Sequence, residues 1–132
     1  MTETDRGVVY VSCEQVEDIH DWVIARYGGR GGLLNRSSLE SSVAQPKAAF
    51  FGFERHKTIT DKAAAYCYFI TRNHPFADGN KRTGFVAALH FLRLNGKIGE
   101  FDDDEIVNTI RSVAMRSMTL NELRTIFQRS VI

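Results

Sequence analysis

Two segments of this sequence, AAAYCYFI at residues 63–70 and FVAALHFLRL at residues 85–94, are apolar on nearly every side. A helix with no polar face has to be buried, so a chain with two of them needs the remainder to wrap around them. Thr58 and Asp61 mark the start of the first helix, which runs to about Asn73, because residues ahead of a proline avoid the helical region. The second is expected from Thr83 to Asn95, with Gly96 ending it. Each would be about 20 Å long at about 1.5 Å per residue. Between them lies HPFADGNKRTG, residues 74–84, the most polar turn of the chain joining its two most buried elements.

The other segments supply the sheath. Val8 to Val11 is a short β-branched and aromatic run that reads as one strand. Ser12 with Gln15 forms a capping box opening a helix whose apolar positions are Val16, Ile19, Val23 and Tyr27, with Trp22 beside them. It stops at Gly28-Gly29. The stretch GGRGG fits neither the dinucleotide nor the P-loop spacing and reads as a flexible connector. Ser37 with Glu40 is a second capping box, and Pro46 should kink or close that helix.

KAAFFGFERHKTI has no clean period; a loop or small hairpin is expected, and its phenylalanines suggest that it docks on something. Asp102, Asp103 and Asp104 favour a helix start before Ile106, Val107, Ile110 and Val113. Thr119 with Glu122 caps a last helix carrying Leu120, Leu123, Ile126 and Phe127. The expectation is a mainly α fold, one domain over residues 1–132, with two central buried helices.

Composition sets bounds on function. A chain of 132 residues with net charge +1 has a core of ordinary size and no global footprint for nucleic acid or a membrane surface. The opening MTETDRGVVYVSCEQ has no apolar stretch fit for a signal peptide, and no later run could span a bilayer. Cys13 and Cys67 stand far apart without a partner motif, as reduced packing thiols of a cytosolic protein would. Asn35-Arg36-Ser37 matches a glycosylation acceptor, which has no meaning without a secretory route.

The polar turn carries the chemistry. Gly79, Asn80, Lys81 and Arg82 fall just before and within the first turn of the second buried helix, where free N–H groups and the helix dipole favour an anion. Gly79 permits a concave nest of such donors, and Lys81 and Arg82 add two positive charges. That is a phosphate site by construction. Asp78 alone would read as a helix cap, since Asp is common there. Beside a cationic phosphate site it reads instead as a magnesium carboxylate, because that ion combines one or two carboxylates with phosphate oxygens and water.

His74, at the other lip of the turn, would by itself be a capping histidine. Facing an anion site, it can take a proton from a hydroxyl attacking a phosphate. Phe76 reads as the anchor of the turn. His20 and His90 sit inside helical runs and read as structural, and His56 is expected at the surface. No histidine pair has zinc spacing, and no serine sits on a nucleophile elbow.

These residues resemble a known family. HPFADGNKR resembles the Fic/Doc signature, His-x-Phe-x-acidic-Gly-Asn followed by basic residues, and more closely its Doc branch, the death-on-curing toxins. GLLNRSSLESSVAQPKAAFFG and DKAAAYCYFITRNHPF resemble other parts of that branch, so the likeness covers about residues 8 to 127. The resemblance implies a helical domain with the motif loop between two central helices, ATP as substrate with Mg2+, and a hydroxyl-bearing protein as acceptor. It implies His74 as general base, Asp78 as the magnesium acid, Asn80 as a phosphate contact, and Lys81 and Arg82 as phosphate holders. The Phe-rich stretch from Phe50 to Ile59 takes the place of a substrate-docking flap.

AMP-transferring relatives carry Gly where Lys81 stands and a second Arg where Phe85 stands. Both are changed here, as in relatives that transfer the terminal phosphate, for which elongation factor Tu is the suggested target. The Ser/Thr-x-x-x-Glu-Gly/Asn helix of self-restrained relatives is not found, so restraint is expected from a separate small antitoxin. The reading is therefore a bacterial cytoplasmic toxin with protein kinase activity. AMP transfer is the alternative within the family. A phosphate-docking module without catalysis is the alternative outside it, and His74 argues against that one. Neither a membrane nor a nucleic acid is an expected partner.

Overall fold

The computed structural model describes residues 7–132; residues 1–6, part of the opening read above for a signal peptide, lie outside the described residues. Two helices adjacent in sequence form the centre: α3, Ile59–Asn73, and α4, Asn80–Leu94. Thr58 caps α3 by accepting the Asp61 N–H at 3.0 Å. Ala63, Ala64, Tyr66, Cys67 and Ile70 of α3, with Ala87, Ala88, Phe91 and Leu92 of α4, are fully buried. Burying each large side chain among them contributes on the order of 1.5–3 kcal/mol. The two backbones meet at Gly84, where an added Cβ would lie 3.0 Å from the Cys67 carbonyl and 2.8 Å from Thr71 Oγ1. That closeness fixes how far apart the ends of α3 and α4 stand.

Around this pair lie α1 (Cys13–Tyr27), α2 (Arg36–Ala44), α5 (Asp103–Ala114) and α6 (Leu120–Ser130). α1 packs on α4, α2 and α6 on α3, and α5 on both central helices. The capping boxes of α1 and α6 are complete in both directions. Asp102 opens α5 by accepting the Glu105 N–H at 2.7 Å. The fold is thus mainly α, as expected, and none of the helices formed by the described residues is long and apolar enough to cross a membrane. Both cysteines are free thiols, and burial pushes that of Cys67 up to about 12, which keeps it protonated and unreactive.

Several local expectations are corrected. Val8 to Val11 is extended but forms no strand. Side chains replace the missing ladder: Val9 bonds through both its N–H and its carbonyl to the Asn95 amide at 2.9 and 2.8 Å. Val11 does the same with the Tyr66 hydroxyl at 2.8 and 3.0 Å. The β-branched run reports burial of Val11 rather than pairing. α2 is capped by Asn35, which accepts the Ser38 N–H at 3.0 Å, so the Ser37–Glu40 box does not form. Pro46 then sits in a 3₁₀ turn, Gln45–Lys47, that closes α2. α4 begins at Asn80, a turn earlier than the apolar pattern indicates.

The Phe-rich segment is a hairpin. β1 (Ala49–Phe50) pairs antiparallel with β2 (Phe53–Glu54), with Phe51 and Gly52 at φ 50° and 80° in the turn. Two positive φ angles in succession are the geometry that matches the twist of a tight hairpin. His56, expected at the surface, is 2 % exposed. Arg124 Nη2 donates to its Nδ1 at 2.6 Å, which ties the hairpin base to α6.

Candidate active site

His74 ends α3 in the left-handed conformation, φ 48° and ψ 57°, an uncommon state for a residue with a side chain. Such strain persists where surrounding bonds over-determine it. Those bonds come from the segment before α2. The Leu34 and Asn35 N–H groups both donate to the Pro75 carbonyl at 2.8 and 3.1 Å, and the Ala77 N–H donates to the Gly32 carbonyl at 3.0 Å. Phe76 is buried at 2 % exposure and stacks on His20 with ring centroids 3.9 Å apart. His20 Nε2 in turn donates to the Asp78 carbonyl at 2.7 Å. His20 is structural, as read from the sequence position, and its structural duty is to hold the motif turn.

Asn80 is the internal brace. Its Oδ1 accepts the Phe76 N–H at 2.9 Å, and its Nδ2 donates to the Phe76 carbonyl at 2.9 Å. Those two bonds fix the amide's orientation. The second Nδ2 hydrogen therefore points at His74 Nδ1, 3.1 Å away. In this arrangement Nδ1 accepts and the ring hydrogen sits on Nε2. Asn80 is 5 % exposed, and both its amide hydrogens are engaged.

The N-terminus of α4 is open. Gly79 is left-handed at φ 76°, and no side chain caps the helix. The first helical bond runs from the Thr83 N–H to the Gly79 carbonyl at 3.0 Å, so the N–H groups of Asn80, Lys81 and Arg82 precede the ladder. Asp78 does not cap. Its Oδ1 accepts the Gly79 N–H at 2.9 Å and its Oδ2 accepts the Arg30 N–H at 3.3 Å. Lys81 and Arg82 are exposed and form no ion pair among the described residues. The Arg82 guanidinium lies over the Tyr27 ring, 4.4 Å from its centroid.

His74, Asp78, Gly79, Asn80, Lys81 and Arg82 all line one cleft of about 530 Å³. α5 adds Val107, Ile110 and Arg111 to its lining. Sequence reasoning missed Arg111 because nothing in DDEIVNTIRSVA marks one arginine as different from another. It also missed the Gly29–Arg30 contact, although the doubled glycines were a signal of close approach. Among the described residues no group of three or more His, Cys, Asp or Glu could enclose a metal ion. A single carboxylate beside an anion site fits magnesium only in its phosphate-bound mode, with water completing the shell.

This chain belongs to the Fic/DOC family, whose sequence model matches residues 10–92, from just before α1 through the motif turn and most of α4. Among curated relatives, Toxin Doc of Mycolicibacterium smegmatis (strain ATCC 700084 / mc(2)155) is 35 % identical over 99 residues, covering 74 % of this chain and 76 % of that protein. Protein kinase doc of Escherichia phage P1 is 29 % identical over 120 residues, covering 91 % of this chain and 94 % of that protein. The likeness to the Doc-type toxins within the family agrees with the reading of HPFADGNKR.

Proposed function

We propose that this chain is the toxin of a toxin–antitoxin pair and a transferase that moves the terminal phosphate of ATP onto a hydroxyl of a host protein. One observation carries the reading: a histidine, a carboxylate and an uncapped helix N-terminus with two unpaired cations line the same cleft. Phosphoryl transfer asks for little beyond positioning and charge neutralisation, and these groups offer both. The names of the two relatives, a toxin and a protein kinase, support the same class.

In this reading Lys81, Arg82 and the N–H groups opening α4 hold the phosphates, and Arg111 adds a third cation from α5. Asp78 would hold a magnesium ion, whose charge would offset that of the phosphate oxygens. The acceptor oxygen bonds to the terminal phosphorus, the bond to the bridging oxygen breaks, ADP leaves, and the hydroxyl proton goes to His74. For that, the Asn80 contact must open. Either ring nitrogen can receive a proton only once Asn80 no longer donates to Nδ1. A phosphate at the α4 N-terminus gives the Asn80 amide another acceptor, so ATP binding itself would free the base.

The exposed phenylalanines of the hairpin would dock the protein substrate, with elongation factor Tu as the proposed target. An antitoxin segment covering the hairpin and cleft would silence the enzyme. AMP transfer is the second reading. Against it, Phe85 is buried against Phe101 and Phe127, so position 85 offers the cleft no cation. In its favour, Arg111 provides a second guanidinium from another helix. Expression in a bacterial host tests the toxin reading. Growth should stop with the parent chain and continue with His74→Ala, and elongation factor Tu from arrested cells should carry an added phosphoryl group. Harmless high-level expression with His74 intact contradicts it.

A further inference from the structure

The loop after α1 approaches the site more closely than a connector needs to. Gly29 has φ +117°, and a Cβ built there would lie 2.7 Å from Asp78 Oδ2, 3.1 Å from its Cγ and 3.3 Å from Ile24 Cδ1. The next residue, Arg30, gives its backbone N–H to that same Oδ2 at 3.3 Å. Gly79 gives its N–H to Oδ1 at 2.9 Å. Each carboxylate oxygen thus has one backbone donor, while the Asp78 carbonyl is held by His20 at 2.7 Å. Asp78 is solvent-exposed, and an exposed carboxylate left alone would sample several rotamers. Two peptide N–H groups from different parts of the chain fix one rotamer. A carboxylate has about four lone-pair sites, so two remain for a ligand.

We propose that Gly29 and Arg30 form a positioning element: the Arg30 N–H aims the Asp78 carboxylate, and Gly29 is required because any side chain would displace it. The inference rests on the reading of Asp78 as a group of the active site. It assigns a role to the backbone of GGRGG, distinct from a phosphate cradle, since here the loop holds the acid that faces the phosphates. Groups that orient a metal-binding residue from behind typically matter 10- to 100-fold in affinity or activity.

The chain contains its own control. Gly96, beyond the end of α4 that is remote from the cleft, has φ +76°, and a Cβ there meets nothing within 4 Å. Gly29→Ala and Gly96→Ala should therefore both lose thermal stability through backbone strain, and differ in what happens to Asp78. Two readouts are made on each folded variant: the amide signals of Arg30 and Gly79 in nuclear magnetic resonance spectra of 15N-labelled protein, and the magnesium dependence of γ-phosphate transfer. Gly29→Ala should move both amides and raise the half-maximal magnesium concentration roughly tenfold, whereas Gly96→Ala should leave both near parental values. If the two variants behave alike in amides and magnesium profile, the positioning role is wrong. If the parent transfers no phosphate at any magnesium concentration while Gly29→Ala still moves the two amides, the positioning stands and the kinase reading fails.

Discussion

In the turn between α3 and α4, Phe76 points inward at 2 % exposure while His74, Asp78, Lys81 and Arg82 face solvent around a cleft. In the hairpin the order is reversed. Phe50, Phe51 and Phe53 are 71 %, 86 % and 75 % exposed, while Glu54, His56 and Lys62 beneath them are buried. Lys62 Nζ reaches Glu54 Oε1 at 3.0 Å with both side chains almost fully covered, and it also donates to the Pro46 carbonyl at 3.3 Å. The same residue types therefore serve opposite ends. Charges at the open end of a buried helix are free for a ligand; charges under the hairpin are consumed in holding it. In the proposed function, the exposed rings are what remains for a partner.

The contrast makes its largest claim at His74. His74→Ala should lower transfer by about 100- to 10,000-fold, the usual range for loss of a general base. Its melting temperature should stay near that of the parent, because the side chain is exposed and alanine keeps the same Cβ in the left-handed backbone. Near-parental turnover in the folded variant removes His74 from the chemistry.

The opposite outcome is expected under the hairpin. Lys62→Met leaves the Glu54 carboxylate buried without its counter-charge and should cost about 3–5 kcal/mol in urea unfolding. The double change Lys62→Met with Glu54→Leu should recover most of that, since an apolar pair of similar volume is often as stable as a buried ion pair. A loss below about 1 kcal/mol in the single variant would mean that the pair is hydrated like a surface one.

A smaller effect follows from His56. Burial above all, then Arg124, Lys62 and Arg55, lower its pKa to about 4. The fold holds the ring neutral, whereas the unfolded chain takes up a proton near the ordinary value of about 6.5. Its contribution is therefore complete above about pH 6.5 and is lost as the pH falls towards 4. Melting temperature should drop more between about pH 7 and about pH 4.5 in the parent than in His56→Gln. Parallel curves would place His56 outside the anchoring of the hairpin. Least of all should change in Phe50→Ser, where stability should hold within about 0.5 kcal/mol while modification of the protein substrate falls. A clear loss of stability there would mean that the ring packs on this chain instead of on a partner.

How much of this was legible in the sequence differs between the same two regions. The motif turn announced itself because its polar residues interrupt two apolar helices, and the residues that matter are neighbours in sequence. The capping boxes of α1 and α6 were legible for the same reason, since each is settled within four residues. The hairpin base was not, because Lys62 meets Glu54 and His56 meets Arg124 only after α3 and α6 are packed. The strand expected at Val8 to Val11 failed likewise: its partners are the side chains of Tyr66 and Asn95, which no periodicity reveals. Arg111 reaches the cleft, and Gly29 reaches Asp78, through tertiary packing alone.

The central claim is that the open α4 N-terminus, with Lys81 at its mouth, presents the terminal phosphate of ATP to His74. In the proposed function Lys81, which by resemblance stands where AMP-transferring relatives carry Gly, would orient the chain of phosphates through its charge and bulk. The most direct test is to incubate the purified chain with bacterial lysate and ATP labelled at either the α or the γ phosphate, and to see which label enters protein. The γ label should appear in protein, disappear in His74→Ala and weaken strongly in Lys81→Gly, with the α label absent from the parent. Transfer of the α label by the parent chain contradicts the account, because Lys81 would then not set the orientation and the reaction would be AMP transfer.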